Sequence, residues 1–529
     1  MLVNEFLEHS ADRFPDKAAL ICEDERFTFS EIENSANSLS CALIEGGLQR
    51  QDRAGVFVEP SVESVVSIFG ILKAGGVFFV INPQVKARKL EYILNDNGAR
   101  VLITDMAHLK EVEAVLPRCR GLKTIIITDY DCVDKDAVEY DGLDVVSYRE
   151  ILKRCPSKRP EVSCNDIALA SLIYTSGSTG VPKGVMCTHL NMVSAANSII
   201  EYLENRPEDI ILNVLPLSFD YGLYQVLMSF KFGGTVVLEK SFIYPYRIID
   251  LIIKERVTGF PIVPAIAAIL FRMMNLEKYD FSSLRYITNT AQALPVKYIK
   301  QMQKIFRGVK IYSMYGLTEC KRVSYLPPEE LGKRPTSVGK AMPNCEVYIV
   351  GDDGEKITAA GEVGELVVRG PNVMKGYWNL ADETERVFRL VRVERERVLN
   401  SVADERERVL YTGDLFKMDE EGFLYFVARR DDLIKIGGER VSPKEIENVL
   451  CEMYGIAEAA VVGIEDEILG QAVKAFVVLR EGVDLGEDDI VRYCSGNMEN
   501  YMVPKRVEIR DALPKTSHGK IDKRKLLEE

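Results

Sequence analysis

The segment YTSGSTGVPKGVMCTH, residues 174–189, concentrates hydroxylated and glycine residues around one lysine. Its glycines let main-chain N–H groups converge on an anion, its hydroxyls add further donors, and Lys183 adds a positive charge. The GxxxxGK[ST] phosphate loop does not fit, because no Gly-Lys pair precedes Ser or Thr and Pro182 opposes a helix start. The segment therefore predicts a phosphate-binding loop of another kind, in preference to a plain surface turn.

Four other short motifs place charged side chains beside turns. SMYGLTE carries Glu319 and LYTGDL carries Asp414, and a carboxylate on a turn can bind a ribose diol or a metal ion. RRDDLIKIGGERVSPKEIE begins at residue 429, and LPKTSHGKIDKRKL places Lys520 after a glycine. Each motif alone is more often structural than functional. Their order along the chain is therefore more informative than any one of them.

The elements that must position these motifs alternate between strands and helices. RAGVFVEP, VESVVSIFGILKAGG, GVFFVINP, ARKLEYILNDNG and ARVLITD are typical of layered parallel α/β structure, and IALASLIYT reads as a buried strand that feeds the phosphate loop. Short strands with Gly and Asp turns predict a small β-rich unit from about 338 to 385. PKEIENVLCEMYG, AEAAVVGIED and AVKAFVVLRE then predict an α+β domain, with a boundary near Asp431.

Composition limits the classes of function. The 529 residues correspond to roughly three or four structural units. A net charge of −13 argues against nucleic acid or an anionic membrane as the main partner. We expect no signal peptide and no membrane span, since no apolar run is long enough. The eleven cysteines are scattered without a C-x-x-C pair, which predicts reduced thiols, no zinc site and a cytoplasmic location.

The hexapeptide ERERVL occurs at 394–399 and again at 405–410. A spacing of eleven residues equals about three helical turns, so both copies could share one face of a helix. The repeat could be a partner-binding arm, but a solvated charged helix or loop is the favoured interpretation.

Taken in order, the phosphate loop, YGLTE, YTGD, RRDDLIKIGGERVSPKEIE and PKTSHGKIDK resemble the adenylate-forming superfamily. This superfamily includes AMP-forming acyl-CoA synthetases, adenylation domains of peptide synthetases and firefly luciferases. The resemblance runs from FTFSEIENSANSLSCAL to HGKIDKRKL and so covers almost the whole chain. It implies a large N-terminal domain at 1–430, which binds ATP and the acid, and a small mobile C-terminal domain at 431–529.

The resemblance also implies a reaction in two steps. A carboxylate attacks the α-phosphate of ATP to give acyl-AMP and pyrophosphate, and a thiol then displaces AMP. The implied cofactors are ATP, Mg²⁺ and coenzyme A or a phosphopantetheine thiol. The implied ATP-binding residues are Thr175, Ser176, Gly177, Ser178, Thr179, Gly180, Lys183, Tyr315, Gly316, Asp414 and Arg429.

The remaining roles follow from the same resemblance. Lys520, Thr318 and Glu319 are the implied catalytic residues, and Glu319 and Thr175 are the implied Mg²⁺ ligands. The acid pocket is implied at Phe219, Asp220, Tyr224 and Thr290, the hinge at Asp431, and the thiol tunnel at Gly437 and Gly438.

The identity of the acid stays open at this point. Phe219 followed by Asp220 is typical of members that activate amino acids, where the Asp holds the substrate ammonium. LRYITNTAQALP and YGLTECKRVSYLPPEE instead resemble stand-alone acyl-CoA ligases, including those of fatty acid metabolism, and this interpretation is favoured. A carrier protein, if one is used, would act in trans. Lys321 and Arg322 could meet a second acidic group on the substrate, but the favoured interpretation is that they are solvated.

Overall fold

The chain forms four β-sheets and fifteen α-helices in the part described by a computed structural model, which covers residues 1–130, 140, 142–176, 181–291, 293–392, 406–436, 439–466, 470–516 and 520–528. The α-helices are α1 (Glu5–Arg13), α2 (Phe29–Glu45), α3 (Val62–Lys73), α4 (Ala87–Asn97), α5 (Leu109–Glu113), α6 (Tyr148–Arg154), α7 (His189–Leu203), α8 (Asp220–Phe232), α9 (Pro245–Lys254), α10 (Pro264–Leu270), α11 (Val296–Ile305), α12 (Ala381–Val387), α13 (Pro443–Glu452), α14 (Glu487–Asn497) and α15 (Lys523–Glu528). The strands are β1 (Ala18–Cys22), β2 (Glu25–Thr28), β3 (Arg53–Phe57), β4 (Val77–Val80), β5 (Val101–Thr104), β6 (Thr124–Ile127), β7 (Asp144–Ser147), β8 (Leu169–Ser176), β9 (Pro182–Thr188), β10 (Ile210–Asn213), β11 (Thr235–Leu238), β12 (Gly259–Ile262), β13 (Tyr286–Asn289), β14 (Lys310–Tyr315), β15 (Ser324–Leu326), β16 (Lys340–Ala341), β17 (Glu346–Val350), β18 (Lys356–Ile357), β19 (Gly364–Arg369), β20 (Gly376–Tyr377), β21 (Phe388–Arg392), β22 (Arg406–Met418), β23 (Leu424–Arg429), β24 (Ile434–Ile436), β25 (Glu439–Val441), β26 (Ile456–Asp466), β27 (Gly470–Leu479) and β28 (Arg506–Ile509).

An eight-stranded sheet has the order β20-β9-β8-β4-β3-β5-β6-β7. Strands β3 to β7 and β8 pair in parallel, whereas β8 and β9 form an antiparallel hairpin. The predicted alternation of β3, α3, β4, α4 and β5 is confirmed, as is the buried strand β8. The reason is local: these strands are apolar on both faces, and Ser61 caps α3 through a reciprocal bond with Ser64.

A nine-stranded sheet has the order β16-β15-β14-β13-β12-β10-β11-β1-β2. Its central strands β10 to β14 are parallel, so their carboxyl ends meet at one edge. One continuous apolar core joins this sheet to the first through helices α2, α3, α7 and α8. The two sheets and their helices therefore make the layered α/β body that the sequence predicts.

A six-stranded antiparallel sheet has the order β18-β17-β19-β22-β21, with β23 paired to β22. It is the predicted β-rich unit, but it extends to Arg429 instead of ending near 385. The second copy of ERERVL lies mostly in β22, where residues 406–410 pair with β21. The helical interpretation of this copy is therefore wrong, because the segment completes a sheet. The first copy lies outside the described residues.

The C-terminal segment builds a separate five-stranded sheet, with the order β25-β24-β27-β26 and β28 beside β27. Helices α13 and α14 cover it over an apolar core that includes Ile446, Leu450 and Ile490. The α+β pattern predicted for PKEIENVLCEMYG, AEAAVVGIED and AVKAFVVLRE is confirmed, since these segments supply α13, β26 and β27. Throughout the described part of the chain, no helix combines the length and the apolar character needed to span a bilayer.

Candidate active site

The candidate site lies at the carboxyl edge of the nine-stranded sheet. In open α/β sheets ligands bind at this edge, because the loops there converge and the backbone leaves polar groups exposed. The loop after β10 leads to Phe219, β13 is followed at once by Thr290, and β14 ends at Tyr315. Three of the predicted motifs thus reach the same edge, because the strands that precede them run parallel within one sheet.

The turn after β14 is shaped by a glycine. A Cβ atom at Gly316 would lie 2.0 Å from the carbonyl oxygen of Lys321, so only glycine fits there. Lys321 itself has a left-handed backbone, with φ of 65°. The turn presents Glu319, whose Oε1 accepts a 2.8 Å hydrogen bond from the Tyr377 hydroxyl. Thr318 lies beside it, half-buried.

The predicted phosphate loop connects the hairpin strands β8 and β9. Thr175 pairs directly with Lys183, so both side chains project from the same face. The Lys183 Nζ lies 2.8 Å from Glu383 and 5.3 Å from the centre of the Tyr377 ring. The main chain of Ser176 ends β8. The predicted residues Gly177, Ser178, Thr179 and Gly180 lie outside the described residues.

Asp414 lies on β22 and is buried, with 3% of its surface exposed. Its Oδ2 accepts a 2.6 Å bond from the Tyr315 hydroxyl, and Arg429 Nε lies 3.3 Å from Oδ1. Burial raises the pKa of this carboxyl group, while Arg429 and Tyr315 oppose the rise. Oδ1 accepts no hydrogen bond from the described residues. This oxygen is therefore an acceptor available to a hydroxyl pair.

The predicted acid pocket is built on the first turns of α8. Asp220 and Tyr224 are buried there, and the Phe219 ring meets the Tyr221 ring edge-on at 6.1 Å. A Cβ atom at Gly222 would lie 2.4 Å from the Pro216 carbonyl oxygen, so this glycine lets the preceding loop close onto the helix. Thr290 is also buried, at the end of β13.

Lys321 and Arg322 are not solvated. Their relative exposures are 1% and 4%, so the favoured interpretation from the sequence is wrong. The reason is the tight turn at Gly316, which folds the chain back and directs both residues into the protein. Arg322 stacks on Tyr221, with its guanidinium carbon 4.5 Å from the ring centre.

Lys520 reaches the same cleft from the C-terminal sheet. Its ammonium group interacts electrostatically with Asp220, Asp414, Glu319 and Arg429. Loss of surrounding water lowers the pKa of Lys520, and the three carboxylates oppose that change. Lys520 is nevertheless exposed to solvent, so it does not lie in a sealed cavity. A main-chain bond of 2.7 Å from Thr516 N to the Lys520 carbonyl helps to fix its backbone.

The proposed moving parts are only partly described. Asp431 lies in a short turn between β23 and β24, at the passage from the third sheet to the fourth. The predicted thiol-tunnel residues Gly437 and Gly438 lie outside the described residues. Their roles stay predictions.

Two partners in the site were missed by sequence reasoning. Tyr377 binds Glu319 across 58 positions, and Glu383 pairs with Lys183 across 200 positions. Nothing in the local spacing indicates either contact. The only signal is that both residues lie in the segment MKGYWNLADETE, between strands of the β-rich unit.

The residues present fit a magnesium ion bound with a nucleotide. Mg²⁺ usually keeps several waters and takes one or two carboxylates together with phosphate oxygens. Tyr377 orients Glu319 through the hydrogen bond to Oε1, and no described residue donates a hydrogen bond to Oε2. The arrangement thus includes two carboxylates, on Glu319 and Asp414, a lysine beside the predicted phosphate loop, and the Lys520 ammonium group that interacts electrostatically with both carboxylates.

Comparison with known proteins agrees with this arrangement. The family model described as AMP-binding enzyme matches residues 7–378, and the AMP-binding enzyme C-terminal domain matches residues 445–520. The chain is 33% identical to a long-chain-fatty-acid–CoA ligase of Bacillus subtilis, over 99% of this chain and 93% of that protein.

Two solved structures are similar over nearly their full lengths. The anthranilate CoA ligase AuaEII in complex with anthranoyl-AMP superposes with a TM-score of 0.88 at 27% identity, covering 100% of this chain and 97% of that one. The o-succinylbenzoate CoA synthetase MenE of Bacillus subtilis, in complex with ATP and a magnesium ion, superposes with a TM-score of 0.81 at 28% identity, covering 98% of each chain.

Proposed function

The chain belongs to the AMP-binding enzyme family, and from that premise we propose that it is an AMP-forming acyl-CoA ligase. In the first step a carboxylate oxygen of the acid attacks the α-phosphorus of ATP and pyrophosphate leaves. In the second step the thiol sulfur of coenzyme A attacks the acyl carbon, AMP leaves with the bonding electrons, and the thiol proton goes to solvent. ATP, Mg²⁺ and coenzyme A are the co-reactants.

One observation supports the proposal: the Lys520 ammonium group interacts electrostatically with Glu319 and Asp414, although the three residues lie far apart in the chain. Folding alone does not require charged groups to converge in this way. Adenylation requires a cationic group there, because the acid and the triphosphate are both anionic and must approach each other. A lysine facing the carboxylate and the α-phosphate offsets the negative charge that grows there.

The other residues bind and orient the nucleotide. We assign Thr175, Ser176, Gly177, Ser178, Thr179, Gly180 and Lys183 to the pyrophosphate end of ATP. The Asp414 carboxylate accepts hydrogen bonds from the ribose hydroxyls, and Arg429 lies beside it. Tyr315 and Gly316 line the adjoining part of the nucleotide site. Lys183 would exchange its pairing with Glu383 for the phosphates, since both groups compete for one ammonium.

Glu319 and Thr175 would hold Mg²⁺, with Thr318 beside the α-phosphate. When bound, the ion polarises the phosphate oxygens and neutralises part of their charge. Tyr377 fixes the rotamer of Glu319 through their 2.8 Å hydrogen bond, so the carboxylate is oriented before ATP arrives.

In the thiol step, Lys520 must leave the site so that the thiol acceptor can reach the acyl carbon. We propose that the domain at 431–529 rotates about Asp431 relative to the domain at 1–430, a hinge motion that brings Gly437 and Gly438 to the cleft. Coenzyme A is the acceptor favoured by the similarity to CoA ligases. The carrier-protein alternative is not favoured, since the relatives described above are CoA ligases.

The acid pocket is assigned to Phe219, Asp220, Tyr224 and Thr290. A cytoplasmic location is also part of the proposal. Its support is that all ten cysteines in the described segments are free thiols, as expected in a reducing compartment.

The Lys520→Ala variant tests the assignment. Loss of this charge should slow acid-dependent ATP–pyrophosphate exchange about a hundredfold or more. Thiol transfer from supplied acyl-AMP should be nearly retained, because the lysine has left the site by then. The matched control is Lys515→Ala, which removes a nearby lysine held 2.9 Å from Glu458, and it should change both steps less than about twofold. Equal loss of both steps in Lys520→Ala would show that the residue supports the fold instead.

A further inference from the structure

A buried cationic pair lies beside the proposed acid pocket. Lys321 and Arg322 are 1% and 4% exposed, and neither has an ion-pair partner among the described carboxylates. Charged side chains are rarely buried unless paired, because removing an ion from water costs several kcal/mol. The Tyr221 ring accounts for one face of the Arg322 guanidinium, so the question is which acceptors meet the donors of the two cations.

The two cations differ in how well their donors are satisfied. The Lys321 Nζ donates to Cys187 Sγ and to the Thr318 carbonyl oxygen, both at 2.9 Å. Arg322 donates one long bond of 3.3 Å, from a terminal nitrogen to the Lys321 carbonyl oxygen. Its Nε is buried and has no acceptor within the described part of the chain. The guanidinium of Arg322 thus retains a buried hydrogen-bond donor without an acceptor.

A second polar group without a hydrogen bond lies on the helix that this guanidinium contacts, because Arg322 stacks on Tyr221 and Tyr224 follows about one turn later on α8. Tyr224 is 2% exposed, and its hydroxyl oxygen has no hydrogen-bond partner among the described residues. The hydroxyl interacts electrostatically with Asp220, Cys187 and Arg322. Both groups are buried donors without an acceptor, and both face the first turns of α8, which points to an acceptor that the working enzyme binds there.

The charges around the pocket indicate that this acceptor is negatively charged. Arg322, Lys321 and Lys520 are cationic, while Asp220 is the acidic residue of the α8 turn and interacts with Lys520. Because the reacting carboxylate is assigned to Lys520, the Arg322 guanidinium can bind a different anionic group of the substrate. A purely aliphatic chain placed against Arg322 and Tyr224 would bury both groups without an acceptor, which is costly.

We propose that the acid substrate carries a second carboxylate, distant from the reacting one, which pairs with the Arg322 guanidinium and accepts from the Tyr224 hydroxyl. This inference rests on the proposed ligase function and deepens it. The substrate class is a dicarboxylic acid, in contrast to a monocarboxylic fatty acid. Arginine suits this role because its planar donors match a carboxylate in two-point contact.

The first test compares acids of equal length in the wild-type enzyme. ATP–pyrophosphate exchange is measured with succinate, glutarate and adipate, and with butyrate, valerate and hexanoate. The monomethyl esters of the three diacids keep the length and remove the second charge. At least one diacid should exceed its matched monoacid and its half-ester about tenfold or more in kcat/KM. Equal or better use of the monoacids and of longer fatty acids would overturn the inference.

The second test uses Arg322→Gln. This change should lower kcat/KM for the preferred diacid about a hundredfold and change it less than tenfold for the matched monoacid, so that the preference collapses. Arg322→Lys should recover part of the preference. The control is Arg334→Gln, which removes an arginine 14% exposed that already pairs with Asp419 and Glu421. It should keep the wild-type preference, and a uniform loss for all acids in Arg322→Gln would count against the inference.

Different results would refute the ligase function and the second carboxylate of the substrate. If no acid in the panel, including long-chain fatty acids, supports exchange or AMP release, the proposed ligase function is wrong. If exchange occurs with fatty or other monocarboxylic acids without a preference for diacids, only the second carboxylate is refuted. The wild-type comparison stands by itself, so poor folding of an Arg322 variant does not remove the test.

Discussion

Gly316→Ala is the change that most sharply tests the geometry of the YGLTE turn. An alanine Cβ at this position would lie 2.0 Å from the Lys321 carbonyl oxygen and 3.0 Å from Arg322 Cα. Both neighbours are backbone atoms, so no side chain can rotate away to relieve the overlap. The added methyl group must therefore displace the whole turn that carries Glu319.

The size of the displacement follows from ordinary contact distances. A carbon and a carbonyl oxygen approach to about 3.3 Å in favourable contacts, so the turn must move by about 1 Å or more. A misplacement of about 1 Å at reacting groups can cost about a hundredfold in rate. Overpacking of this kind costs about 1–3 kcal/mol of folding free energy, which a folded domain usually tolerates. We expect a folded enzyme with kcat/KM for adenylation reduced about a hundredfold.

The assay is acid-dependent ATP–pyrophosphate exchange over a range of Mg²⁺ concentrations, with thermal unfolding measured in parallel. Gly332→Ala is the control, because a Cβ at that exposed position meets no atom within 4 Å. The control should match the wild type in exchange and in melting temperature. The reasoning is refuted if Gly316→Ala is folded and keeps exchange within about threefold of the wild type. It is also refuted if the variant loses activity only in proportion to its loss of folded protein.

Two other perturbations have defined outcomes. Asp220→Ala should lower kcat/KM for the true acid less than about tenfold, whereas a substrate ammonium that lost this carboxylate would lose about 3–5 kcal/mol, more than a hundredfold in exchange. His189 is buried, with the Val3 amide donating to its Nδ1 at 3.0 Å, and burial lowers the pKa of His189 to about 4. The unfolded chain binds a proton there below about pH 6.5 and the folded chain does not until about pH 4, so the free energy of unfolding should fall by roughly 3 kcal/mol over that interval. Urea unfolding of the wild type and of His189→Gln should show a shallower fall in the variant, and equal slopes would contradict the assignment.

Much of the fold was accessible from the sequence because its signals are local. The apolar runs at β3, β4, β5 and β8 and the helical pattern at α3 were predicted and are confirmed. The family relationship was predicted from the order of five short motifs, and it too is confirmed. The individual roles of the motif residues stay predictions.

The errors have a common physical origin, since each depends on contacts distant in the chain. Lys321 and Arg322 look like solvent-exposed residues in a charged segment, but the reversal at Gly316 turns them inward. The second ERERVL copy has the composition of a charged helix, yet pairing with β21 makes it a strand. Tyr377 and Glu383 could not be assigned, because their partners are 58 and 200 positions away.

The measurement that tests the central claim most directly is the identification of the nucleotide product. Purified enzyme is incubated with ATP, Mg²⁺, coenzyme A and the acid that gives the strongest exchange, and the products are quantified by chromatography. The account predicts AMP, pyrophosphate and the acyl-CoA thioester in equal amounts, each dependent on the acid. Stoichiometric ADP and phosphate with any activating acid would contradict it.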